Sequence, residues 1–138
     1  MFLLDTNAIS ELRRPDKANA GLAAWAASAA PAELFISAIT LFEIELGAAQ
    51  AGRKDAAKEA VLRAWIDKQV VPGFRDRIIP IDVAVAQRCA ALHVPDPRPQ
   101  RDSLIAATAL VHRLIVVTRN VRDFEPMGVQ LLNPWSDG

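Results

Sequence analysis

Met1-Phe2-Leu3-Leu4-Asp5-Thr6-Asn7 is the stretch whose reading decides the fold. A short run that is apolar at every position has no wet face to offer. Phe2 to Leu4 therefore predicts a strand buried on both sides, as at the centre of a parallel sheet. The run ends on an acid, a hydroxyl and an amide, which puts Asp5 at the strand's C-terminal end. In open α/β sheets ligands bind in the crevice outside the carboxyl ends of the strands, so a carboxylate there is a candidate for chemistry. The structural alternative is a helix N-cap, in which Asp5 satisfies backbone N–H groups of the helix that follows.

Working outward, Leu34 to Ser37, Ile78 to Ile81, Leu114 to Val117 and Val129 to Leu132 read as further strands. Helices are predicted between them: Ala8 to Arg13, Ala18 to Ala30, a helix entered through Ser37-Ala38-Ile39-Thr40 and running to Ala51 with Gly52 as C-cap, and an amphipathic one from Asp55 to Val70. Two more follow, Val83 to Leu92 capped by Asp82 and Ser103 to His112. Pro15, Pro31 and Pro72-Gly73 punctuate them, and the three prolines between His93 and Arg101 make that segment a surface loop. Strands alternating with helices predict an α/β fold: one domain over residues 1–138, with a mostly parallel central sheet of about four to five strands and helices on both faces.

Composition narrows the class. At 138 residues, 51% hydrophobic and 23% charged, the chain has the make-up of an ordinary folded domain. Sixteen basic residues balance sixteen acidic ones, so any contact with nucleic acid has to come from a local basic patch. One cysteine excludes an internal disulfide, and one cysteine with two histidines excludes the usual zinc sites. Cys89 lies on the apolar stripe of its helix and reads as core. No apolar run approaches the length of a membrane span, and no leader precedes the first strand, so the expected location is the cytoplasm.

Four acids stand where strand ends or helix starts are predicted: Asp5, Glu43, Asp102 and Asp123. Each has a structural explanation. Thr40-x-x-Glu43 matches a capping box, Asp102 stands before a buried helix as an N-cap, and Asp123 fits a surface acid in a short helical turn that Asn120 caps. Yet Glu43 has Ile39, Thr40, Leu46 and Gly47 as helical neighbours, a face that should turn inward, and an inward carboxylate needs a partner. Gathered at one sheet edge, four carboxylates repel one another unless a cation neutralises them. With no soft ligands available, the cation that fits is Mg²⁺, with Mn²⁺ as a substitute. Such an ion activates water and clamps a phosphodiester for hydrolysis.

Leu-Leu-Asp-Thr-Asn at the start, Thr40-Leu-Phe-Glu43-Ile-Glu-Leu-Gly47, Arg101-Asp102-Ser-Leu-Ile-Ala-Ala-Thr-Ala109, Val117-Thr-Arg-Asn-Val-Arg-Asp-Phe124 and the closing Asn133-Pro-Trp135 together resemble the PIN-domain family, in its branch of VapC-type, FitB-like toxins. The resemblance implies a metal-dependent endoribonuclease, the toxin of a type II toxin–antitoxin pair. Asp5, Asp102 and Glu43 are its implied metal ligands, and the fourth position falls either on Asp123, as the FitB-like pattern implies, or on Asn120, where some members carry an acid. Thr6, Asn7, Thr118 and Asn120 are similar to the family's supporting polar residues. Arg13, Arg14 and Arg98, and above all Arg101, Arg119 and Arg122, are candidates for holding RNA phosphates. The implied partners are a cognate antitoxin, operator DNA reached only through that antitoxin, and a second copy of the chain in a homodimer, whose contact Leu41, Leu62, Trp65 and Ile66 can form if they are not core.

Two other classes compete. A haloacid-type phosphatase needs a second acid where Asn7 stands, and a receiver domain needs a lysine where the chain has Thr118-Arg119. The other is a catalytically inactive PIN fold that holds an antitoxin in DNA-bound autoregulation.

Overall fold

The computed structural model describes residues 1–136. In chain order the elements are β1 (Phe2–Leu4), α1 (Thr6–Glu11), α2 (Ala20–Ser28), β2 (Leu34–Ser37), α3 (Ala38–Gly52), α4 (Ala56–Trp65), α5 (Val71–Gly73) and β3 (Ile78–Ile79). Then come α6 (Val83–Leu92), α7 (Gln100–His112), β4 (Ile115–Val117), α8 (Val121–Phe124) and β5 (Leu131–Leu132). The strands form one sheet in the order β3-β2-β1-β4-β5, and every neighbouring pair is parallel. The opening stretch is the central strand, with Phe2 opposite both Leu34 and Ile115 and Leu3 opposite both Phe35 and Val116.

Successive residues of a strand face opposite sides, and the two cores follow from that alternation. Leu4, Ile36 and Val117 pack with Ala8 and Ile9 of α1, Leu22 of α2 and Ile44 and Ala48 of α3. Leu3 and Val116 pack on the other side with Ile105, Ala106 and Ala109 of α7 and Phe124 of α8. Helices thus cover both faces, and α6 joins α7 through Val85, Cys89 and Ala107. Leu41, Leu62 and Trp65 pack against the first core, of which buried Ile66 is a member.

Local departures from the expected boundaries have physical causes. The helix expected from Asp55 to Val70 is α4 followed by a π-helical turn over Ile66–Val70, which keeps Ile66 and Val70 both in the core. Ser37 caps α3, its Oγ accepting the Ile39 N–H at 3.1 Å, so Thr40 lies inside the helix and buried. The Thr40–Glu43 capping box is therefore not what holds Glu43. Gly52 is the last residue of α3 and Arg53 its C-cap. α7 starts at Gln100, three residues earlier than expected, because Pro99 at the N-cap presets the backbone and its carbonyl accepts the Ser103 N–H at 2.9 Å. Asp102 is consequently a first-turn residue that faces the helix dipole favourably rather than a cap.

Candidate active site

Asp5 extends β1 by one ladder bond, its N–H donating to Val117 O at 3.1 Å. This sets it beside Thr118 just past the carboxyl ends of β1 and β4. Its Oδ1 accepts the Ala8 N–H at 2.8 Å, so the residue caps α1 while lying at the sheet edge. Only 4% of it is exposed. Burial pushes the Asp5 carboxyl above its ordinary value of 3.8; hydrogen bonds from the Thr118 side chain and the Ala8 N–H oppose the rise, and the charges of Asp102 and Glu43 add to it. Thr118 is fully buried, and its Oγ1 also accepts the Asn120 N–H at 2.9 Å.

Glu43 projects from α3 into the same edge. Thr6 Oγ1 donates to Glu43 Oε1 at 2.6 Å, and Arg101 Nη1 donates to Glu43 Oε2 at 3.3 Å. Thr40 Oγ1 lies 3.4 Å from Thr6 Oγ1, which seats that hydroxyl. Half-buried Asp102 has its carboxyl raised above 3.8, first by desolvation and then by the charges of Asp123 and Glu43. Asp123, on α8, is itself exposed, and its N–H bonds Asn120 O at 3.1 Å. Asp5 thus feels the charges of Asp102 and Glu43, and Asp102 those of Asp123 and Glu43, a chain of pairs that links acids from four separate stretches.

The other expected residues fall around this centre. Asn7, Arg119 and Asn120 are exposed and line an adjoining depression of about 420 Å³. Asn120 occupies the N-cap position of α8 without a side-chain cap bond, and Arg122 is exposed on the same helix. Arg101 lies in a cleft of about 590 Å³ whose walls include Phe42, Glu43 and Asp102. Sequence reasoning missed Phe42. It also missed a buried knot beside α7: Cys89 Sγ lies 3.3 Å and His93 Nε2 2.9 Å from Ser103 Oγ, and His93 Nδ1 accepts the Arg98 N–H at 3.2 Å. The signal was present in the i, i+4 spacing of Cys89 and His93, but Ser103 arrives only through folding.

The donor set suits a hard divalent cation. All the side chains offered are oxygen donors, and two of the carboxyls are desolvated and surrounded by like charge, which cation binding would relieve. Among the described residues no three acids already close into a cage. Mg²⁺ typically takes one or two carboxylates and keeps several waters, so Asp5 and Asp102 fit it.

A PIN-domain profile matches residues 2–128. Toxin FitB of Neisseria gonorrhoeae is 37% identical over 142 residues, covering 99% of this chain and all of the relative. The VapC ribonuclease Y4jK of Sinorhizobium fredii is 33% identical over 144 residues, covering 98% of both chains. The structure of FitAB bound to an IR36 DNA fragment superposes with a TM-score of 0.88 at 35% identity, over 100% of this chain and 98% of that one. No described helix is long and apolar enough to cross a membrane.

Proposed function

The chain belongs to the PIN-domain family, in the FitB-like branch of the VapC-type toxins, and from that premise we propose that it is a divalent-metal-dependent endoribonuclease, the toxin of a toxin–antitoxin pair. The observation that supports the proposal is the charge coupling that links Asp5, at the carboxyl end of β1, to Asp102 and Glu43, and Asp102 in turn to Asp123. Asp5 and Asp102 would hold the cation, Mg²⁺ or Mn²⁺, with Glu43 as the third acid. When bound, the cation supplies activation of water and neutralises charge building on the phosphate. Glu43, oriented by the Thr6 hydroxyl, takes the proton of the attacking water. Asp123 sustains the negative field around Asp102. Thr118 keeps Asp5 oriented, and Asn7 and Asn120 offer polar contacts to the substrate. Arg101, Arg119 and Arg122 hold the RNA phosphates, and the products carry a 5′-phosphate and a 3′-hydroxyl.

Support for a partner comes from the FitAB complex on DNA, in which the FitB-like chain is one component. On that basis this chain acts with a cognate antitoxin that brings it to operator DNA, and the homodimer is proposed from the family resemblance alone.

The test is cleavage of a mixed RNA pool by antitoxin-free protein in Mg²⁺ or in EDTA, beside Asp5→Asn and Asp102→Asn, with sequencing of the product ends. Metal-dependent cuts that vanish in both variants are the expected result. An intact pool with folded wild type would instead favour an inactive PIN module that serves antitoxin and operator binding.

A further inference from the structure

We propose that Phe42 is a stacking platform for an unpaired RNA base next to the scissile phosphate, an inference that rests on the ribonuclease reading and adds a substrate subsite to it. Among the described residues Phe42 is the one phenylalanine or tryptophan left exposed, with 50% of it accessible. The other phenylalanines and tryptophans are buried or partly buried against the cores: Phe2 and Trp25 meet edge to face at 5.2 Å, Phe35, Trp65 and Phe74 are partly buried, Phe124 is fully buried, and Trp135 is 6% exposed.

A single exposed apolar side chain is ordinary, and what distinguishes Phe42 is its position. It precedes Glu43 on α3, and a rotation of about 100° per residue puts the ring on the wall beside the acids. That wall belongs to the cleft that also contains Asp102. The guanidinium of Arg101 lies 5.4 Å from the Phe42 ring centroid while it pairs with Glu43 at 3.3 Å. One half-exposed arginine thus covers an aromatic face and one acid together.

Both contacts match what a single strand presents. A nucleobase stacks on an aromatic face regardless of sequence, and the phosphate that flanks it calls for a guanidinium. When RNA enters, the base takes the ring face and Arg101 exchanges Glu43 for the phosphate, freeing a carboxylate beside Asp102. The ligand is a flexible strand with an unstacked base, because a base within a duplex has no free face to offer.

The experiment uses a short mixed-sequence single-stranded RNA carrying 2-aminopurine, with Ca²⁺ in place of Mg²⁺ for binding and Mg²⁺ for turnover. Wild type is compared with Phe42→Ala, Phe42→Leu and Phe42→Trp, all at an exposed position of a long helix. The expected result is about tenfold or more weaker binding in the Ala and Leu variants, with the loss in KM rather than kcat and without the 2-aminopurine quench. Phe42→Trp retains affinity and quench. Leu and Ala variants that bind, quench and cut as wild type does would overturn the platform and leave the nuclease reading standing. Wild type that binds and quenches yet never cuts in Mg²⁺ keeps Phe42 as a base-stacking residue but overturns both the nuclease reading and the place of the platform beside a scissile phosphate. Unchanged RNA affinity with lost antitoxin capture or self-association would assign the face to protein and overturn the inference.

Discussion

Thr6 and Glu43, thirty-seven residues apart, meet at 2.6 Å with the hydroxyl donating to Oε1. Arg101 takes the other oxygen of Glu43 from the far side of the cleft. Neither contact is local, and together they decide which way the third acid points. Removing the donor while keeping the shape therefore tests whether that orientation matters. Thr6→Val should lower kcat by about tenfold, the scale of one charge-assisted hydrogen bond, with little change in Tm. Thr6→Ser should restore the rate. Equal rates for wild type and Thr6→Val would show that Glu43 needs no orienting.

Asp5 and Asp102 are held in the structure at a cost to the metal-free protein, since both carboxyls are desolvated and lie among like charges. Asparagine at position 5 keeps the cap to Ala8 and removes the charge. Asp5→Asn should raise the Tm of the metal-free protein by about 3 °C, the scale of roughly 1 kcal/mol in a chain of this size, while reducing cleavage by about 100-fold or more. Differential scanning in EDTA measures the first effect and product analysis in Mg²⁺ the second.

Cation binding should show as stabilisation of the wild type alone. At about 100 times its dissociation constant Mg²⁺ adds roughly 2.7 kcal/mol. A Tm that climbs with Mg²⁺ in wild type and stays flat in the Asp5→Asn, Asp102→Asn double variant is the expected pattern. Parallel rises in both would move the ion elsewhere on the protein.

The pH dependence has a definite sign. For Asp5 and Asp102 the folded protein holds the proton more tightly than the unfolded chain, whose value is near 3.8. Between 3.8 and the raised folded values the folded state carries more protons, so these groups make stability fall as pH rises through that window and level off above it. In EDTA, the Tm of wild type minus that of Asp5→Asn should therefore decline with rising pH across mild acid. A difference that grows with pH would mean that Asp5 is stabilised as a carboxylate.

The knot at Ser103 ties the proline-rich loop to α7. Ser103 Oγ donates to Gln100 O at 2.7 Å, so His93 Nε2–H donates to Ser103 Oγ, and Nδ1 is free to accept the Arg98 N–H. Ser103→Ala leaves the imidazole donor short of its partner and should cost about 1–3 kcal/mol, read in urea denaturation. Hydrogen exchange at the Arg98 amide should accelerate with it. Because Asp102 precedes Ser103, a fall in Mg²⁺ affinity should accompany the loosened loop.

The sequence by itself determined the fold class and most element positions. Phe2 to Leu4 had to be a strand buried on both faces, because no residue in it tolerates water, and Asp82 before Val83 had to open a helix, because its side chain satisfies a local N–H three residues on. Such signals act over a few residues and are complete in the chain. The motifs carrying the family resemblance are likewise short and local. Boundaries set by competing neighbours were less legible: Ser37 outcompeted Thr40 as cap of α3, and Pro99 started α7 ahead of Asp102. Only the tertiary structure decided what the acids touch. The contacts of Glu43 with Thr6 and Arg101 span thirty-seven and fifty-eight residues, and the cover of Arg101 over Phe42 exists only once α3 and α7 pack side by side. Those partners are chosen by how two helices meet across the sheet edge, a relation between distant parts of the chain that no local pattern encodes.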